Sequence, residues 1–157
     1  MMMLFPCAVA LAVIPALSLG VSQSRNTLAS LRHDYRPLLV FGAPQSEQVV
    51  AQVKLLAEHV GELKERQVVV APVRSGEDEP AAWTMFPAEE VVTLEPGEEA
   101  AARRRFHVAE GEFVVILIGK DGGEKLRSQT PVTMERLMKV IDAMPMRQKE
   151  ARDGHTG

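Results

Sequence analysis

The residues of this sequence with the means to do chemistry are few and scattered. Its only cysteine is Cys7, inside the charge-free apolar run Leu4–Leu19. The histidines, at 33, 59, 107 and 155, share no metal-ligand spacing, and no metal site is expected from them. Met134, Met138, Met144 and Met146 cluster late in the chain. Thioethers are soft ligands suited to copper(I), but methionines at helical spacing also fill cores, and the core reading is the simpler one. Basic residues gather at Arg103–Arg105, Lys120, Lys125, Arg127 and Arg147. They have the charge to form an anion site around helix ends and a hairpin, or to stand as ordinary solvated charge. Lys120-Asp121-Gly122-Gly123 is not a phosphate loop: its spacing is wrong, and it joins two strands, whereas such a loop leads from strand to helix.

The N-terminal run ends in the small residues Ser18-Leu19-Gly20 and is interrupted by Pro6 and Pro15. It is shorter than the roughly 20 apolar residues that span a bilayer. This predicts a signal peptide over residues 1–20, cleaved after Gly20, and a secreted or periplasmic protein. The alternative is an N-terminal membrane anchor. Cleavage would remove Cys7, and disulfides, thiolate metal sites and cysteine nucleophiles would go with it. A formal net charge of −3 gives no general affinity for nucleic acid or anionic membrane.

The elements that must position any site follow from periodicity. Phe113–Ile118 is six apolar residues without alternation, a strand covered on both faces. Asp121-Gly122 supplies turn chemistry, and Glu124–Ser128 returns as a more exposed arm. Leu38–Phe41, ended by Gly42 and Pro44, is a central strand, and Gln67–Val73 a second buried one. Between them Val49, Val53, Leu56, Val60 and Leu63 form one face at a 3.6-residue period, with Ser46 as N-cap and Glu47 placed against the helix dipole. Two strands joined by one helix make a right-handed crossover and parallel neighbours. Asn26–Tyr35 leads in as a short helix or turn.

From Ser75 to Ala102 there are eight acidic residues and no base, interrupted by prolines at 80, 87 and 96. This long acidic connection, 75–97, reads as a surface excursion with Val91–Leu94 as a short edge strand. Trp83 and Phe86 inside it would suit docking of a basic partner if exposed. Glu98-Glu99 open a helix that runs to Phe106. A last helix is expected from a Thr130 cap through Met144, stopped by Pro145, with a frayed C-terminus over 149–157.

The order is β-α-β, then α-β-β-α: an α/β domain over 21–157, with a four-stranded mixed sheet and helices on both faces. The sheet order would be second strand, first strand, inner hairpin arm, outer arm. That order resembles the thioredoxin fold. Leu38–Pro44 (LLVFGAP) is similar to the thioredoxin strand that enters the active-site turn. Leu117–Arg127 (LIGKDGGEKLR) followed by Ile141–Gln148 (IDAMPMRQ) resembles, more specifically, a thioredoxin-like domain of unknown function, the DUF4174-type. It occurs in small secreted bacterial proteins and in animal sushi-repeat-related matrix proteins. The likeness covers about Leu28 to Arg152.

The resemblance implies a site and also its loss. Thioredoxins carry two cysteines, separated by two residues, in the turn that follows the first strand; here Ser46 and Val49 stand in those places. Their proline before the hairpin strand is replaced by Gly111-Glu112. The expectation is a redox-inactive binding module without cofactor, taking a protein partner or a small anionic ligand. Its candidate binding residues are Gln45, Ser46, Glu47, Gln48, Glu110 and Glu112 at the rim, with Lys120 and Arg147 from the basic set. The alternative is an enzyme of unknown type with a non-cysteine site at the Gln45–Gln48 helix N-terminus, and the third reading is soft-metal binding through the C-terminal methionines. Oligomeric state has no signal in the sequence.

Overall fold

Every residue of the first strand, β1 (Arg36–Gly42), is buried, because a neighbour pairs on each side and helices lie over each face. The computed structural model describes residues 26–75, 81–95 and 97–154. The expected signal segment 1–20, the acidic residues at 77–79, Pro96 and His155 lie outside the described residues.

The sheet order is β2-β1-β3-β4, with β2 at Val68–Arg74, β3 at Val114–Ile118 and β4 at Glu124–Ser128. β1 and β2 are parallel, Arg36 opposite Val68 and Gly42 opposite Arg74. β3 runs antiparallel to β1, pairing Leu38 with Leu117 and Phe41 with Val114. β4 closes the hairpin, with a register irregularity between Leu117 and Ile118. The topology is the one the sequence predicts.

Alternation within the apolar runs feeds two separate cores. Leu38, Val40, Val68, Val70, Val115 and Leu117 face one side, under α1 (Glu47–Ala57) and α4 (Met134–Asp142). Leu39, Phe41, Ala71, Val73, Val114 and Ile116 face the other, under α3 (Glu98–Phe106). Each fully buried Leu or Phe contributes on the order of 1.5–3 kcal/mol of transfer free energy. These two layers, more than any polar contact, hold the sheet.

Several expectations need correction. The first helix is not continuous. It breaks after Ala57, and α2 (Val60–Glu65) follows. At the break the His59 N–H bonds to Leu56 O, three residues back, at 3.0 Å, and its Nδ1 lies 3.0 Å from Leu55 O. The acidic connection is anchored, because Phe86 is buried and Trp83 packs against the same core, their ring centroids 6.5 Å apart. Within it, Val91–Leu94 forms no edge strand, only single bridges from Val91 to Val70 and from Leu94 to Asn26.

The C-terminal corrections matter most. Thr133, not Thr130, caps α4, its hydroxyl accepting from Arg136 N. Pro145 does not end the helical region; it opens α5 (Pro145–Asp153). A proline at the first helical position loses only an N–H that would have had no partner in the helix. The expected fraying from 149 is thus replaced by helix to Asp153, held to the sheet through Glu150.

Candidate functional site

The antiparallel pairing of β1 with β3 brings two loops to one end of the sheet. β1 ends at Gly42, whose φ of +150° and tight surroundings let α1 begin close by: a Cβ there would lie 2.7 Å from Val49 Cγ2. Ser46 then caps α1, its Oγ accepting from Val49 N at 3.3 Å. Val49 itself is buried in the core. Of the two positions that the resemblance assigns to thiols, one is occupied by a helix cap and the other by packing.

Facing this turn is the loop before β3. Glu112 accepts through Oε2 from Ala109 N and through Oε1 from Gln129 Nε2, both at 3.0 Å. Gln129 O in turn accepts from Gln48 Nε2 at 3.4 Å. A short polar chain, Gln48–Gln129–Glu112, therefore ties the helix N-terminus to the opposing loop. Gly111, at φ +77°, donates its N–H to Ser75 Oγ at 3.0 Å. Arg103 fastens the same corner, donating to Ser75 Oγ, Val73 O and Ala109 O. Gln45, Glu47 and Glu110 are exposed around it. The rim is open, polar and rich in carboxylates.

The other two predicted residues lie elsewhere. Lys120 follows β3 and is buried at the opposite end of the sheet, beside the start of β1. Its Nζ donates to Gln67 Oε1 and, at 2.7 Å, to Glu150 Oε1. Arg147 donates to Glu65 Oε1 at 2.9 Å near the end of α2. Of the basic residues, Lys120 and Lys125 line one cavity, but the others are dispersed: Arg105 donates to Gly122 O, and Arg127 to Glu124 and Phe106 O. Met134, Met138 and Met144 pack in the core, whereas Met146 is exposed.

Sequence reasoning missed three residues that shape these ends. Gln129 bridges the rim, and no pattern marks it. Gln52 is fully buried on α1 and makes both of its amide bonds to Val132, accepting from its N at 2.6 Å and donating to its O at 3.3 Å. Arg36 is fully buried at the first position of β1. The available hint for Arg36 was that a charge directly preceded an uninterrupted apolar strand.

The sequence profile of the family described as Domain of unknown function (DUF4174) matches residues 27–150. The chain belongs to this family. No curated protein matches the sequence. Among solved structures, the domain is similar to the reduced 2-Cys peroxiredoxin of Plasmodium vivax, at a TM-score of 0.56 and 15% identity over 78% of this chain and 84% of that one. It is also similar to a secreted disulfide oxidoreductase of Mycobacterium tuberculosis (TM-score 0.52, 16% identity, covering 76% and 94%). A thioredoxin-like protein from Aeropyrum pernix gives 0.54 at 15% identity, covering 76% and 83%. These likenesses establish that the DUF4174 domain has a thioredoxin-like fold, and at such identities they carry the fold alone.

Proposed function

We propose that this DUF4174 domain is a secreted, redox-inactive thioredoxin-like module that binds a protein partner at the rim formed by Gln45–Gln48 and Glu110–Glu112. The observation that carries the reading is the fate of the two thiol positions, with Ser46 spent on capping α1 and Val49 on the core. Rim charge favours a protein over an anion there. Glu47, Glu110 and Glu112 supply negative charge, and Arg103 is engaged with Ser75, Val73 and Ala109. An extended segment with basic or amide side chains fits such a surface, because complementary charge steers and registers the encounter. A hydrolytic role for Ser46 has less support, since its hydroxyl faces a backbone amide and no base is paired with it among the described residues.

The apolar segment within residues 1–20 supports secretion, and the removal of Cys7 with it would leave a chain without thiols. The test uses the chain from Val21 as bait against the fraction in which the protein resides, beside a Glu47→Lys/Glu110→Lys variant. A partner retained by the first and lost by the second is the expected result. Turnover of a disulfide or peroxide substrate by the cysteine-free chain would overturn the reading.

A further inference from the structure

We propose that the cavity between the β3–β4 turn and the start of α5, at the end of the sheet opposite the rim, binds the carboxylate of a small molecule with an apolar body. The cavity has a volume of about 510 Å³, and Arg36, Lys120 and Lys125 line it together with Val140, Met144 and Met146.

Charge is the first argument. Arg36 and Lys120 are both buried, and a single carboxylate serves them: Glu150 accepts from Arg36 Nη2 at 3.2 and 3.1 Å and from Lys120 Nζ at 2.7 Å. Their other partners, Arg66 O and Gln67 Oε1, are neutral. Two cations against one anion leave one positive charge in excess. Lys125, at the mouth, is balanced by Asp121 at 2.6 Å. A buried charge lacking its counter-ion is costly, so a monoanion entering here gains what the protein itself leaves unmatched.

Hydrogen-bond accounting gives the same answer. Arg36 Nε is buried with no hydrogen-bond partner among the described residues, although a guanidinium offers five donors and buried donors are rarely left unpaired. Lys120 uses two of its three ammonium donors on Gln67 and Glu150. Arg36 offers the cavity no accessible surface, so it contributes charge, and the spare Lys120 donor is the one a carboxylate meets.

The start of α5 adds to both. Its N-cap is Met144, which makes no side-chain capping bond, and Pro145 follows at the first turn. Helix N-termini usually carry Ser, Thr, Asp or Asn to satisfy their N–H groups. Here the positive end of a nine-residue helix borders the cavity with apolar residues in the capping place.

Much of the remaining lining is apolar. Val140, Met144 and Met146 present hydrocarbon and thioether surface, and methionine adapts to irregular shapes. Met146, at 45% exposure, stands at the opening. One excess charge with an apolar wall selects a monocarboxylate over a phosphate dianion, which would bring more charge than the site lacks and nothing for the wall to bury.

Isothermal titration of the chain from Val21 with octanoate tests this, with octan-1-ol and inorganic phosphate as comparison probes. Octanoate is expected to bind at one site per chain, with each comparison probe at least about tenfold weaker, the difference one charge-assisted pair supplies. Lys120→Met should weaken octanoate by about tenfold or more. Since Lys120 also anchors α5, a second variant, Ala143→Phe, fills the mouth from an exposed position and leaves Arg36, Lys120 and Glu150 in place. It should keep the wild-type melting transition and lose octanoate binding. No octanoate binding at millimolar concentration, equal affinity for octan-1-ol or phosphate, or undiminished binding in Ala143→Phe would each overturn the proposal.

Discussion

Arg36, the first residue of β1, donates Nη2 to both carboxylate oxygens of Glu150, 114 residues later in the chain. That contact fastens α5, an element with no buried residue of its own, to the sheet. Lys120 meets the same carboxylate from the β3–β4 turn. Removing one partner of a buried pair costs more than the pair contributes, because it strands the other charge. Glu150→Ala strands two. It should lower stability in urea by at most about 3 kcal/mol, the value for a wholly buried pair, because Glu150 is 28% exposed, with amide exchange over Pro145–Asp153 rising before the rest of the domain opens.

Acid should act through the same residue. Burial, the largest single influence on Glu150, pushes its carboxyl up, but the Lys120 hydrogen bond and the Arg36 charge outweigh it and hold it below the ordinary 4.5. The Arg66 hydrogen bond likewise holds the more exposed Asp142 low. A carboxyl that titrates lower in the folded than in the unfolded chain contributes its full stability above the unfolded value. That contribution is lost as pH falls through the folded one. Urea midpoints should therefore be flat for Glu150's part above about pH 4.5 and decline below it. Glu150→Gln should be less stable at neutral pH and show a shallower acid decline.

How much of this was legible in the sequence depends on the distance between partners. β1, β3 and the hairpin were readable because unbroken apolar runs report two-sided burial directly. The rim at Ser46 was readable because a cap and its helix are adjacent in the chain. Arg36 was not, because an arginine is buried only with a partner, and Glu150 is too remote for any local pattern to show. Pro145 was misread for a different reason. The same residue stops a preceding helix and starts a following one, and here α5 begins at it and is tied to the sheet through Glu150. Lys120 cannot share a site with the rim, because residues on either side of one strand, such as Glu112 and Lys120 about β3, lie at opposite ends of it.

Ser46 can be tested for its present role and for the one that it has displaced. Ser46→Ala removes the bond to Val49 N and should cost about 1 kcal/mol in urea unfolding, the usual worth of such a cap. Ser46→Cys, made in the chain from Val21, places a lone thiol at a helix N-terminus. Its thiolate, followed by absorbance at 240 nm, should form below the ordinary pKa of about 8.5. A thiol titrating at or above that value would mean that the α1 terminus no longer favours an anion.

Gln52 offers the sharpest test of a polar residue acting as structure. Its amide closes a two-bond pair with the backbone of Val132, binding the segment before α4 to α1 in a fully buried setting. Gln52→Leu keeps the bulk and adds apolar surface, so a purely hydrophobic account predicts a neutral or stabilising change. It also leaves the Val132 N–H and C=O buried without their present partners, and an unmatched buried polar group costs about 1–3 kcal/mol. The penalty should win, giving a net loss of about 2 kcal/mol in urea unfolding. Gln52→Glu, which retains the acceptor but not the donor, should lose less at pH 4 than at pH 8, where the charged carboxylate would face Val132 O.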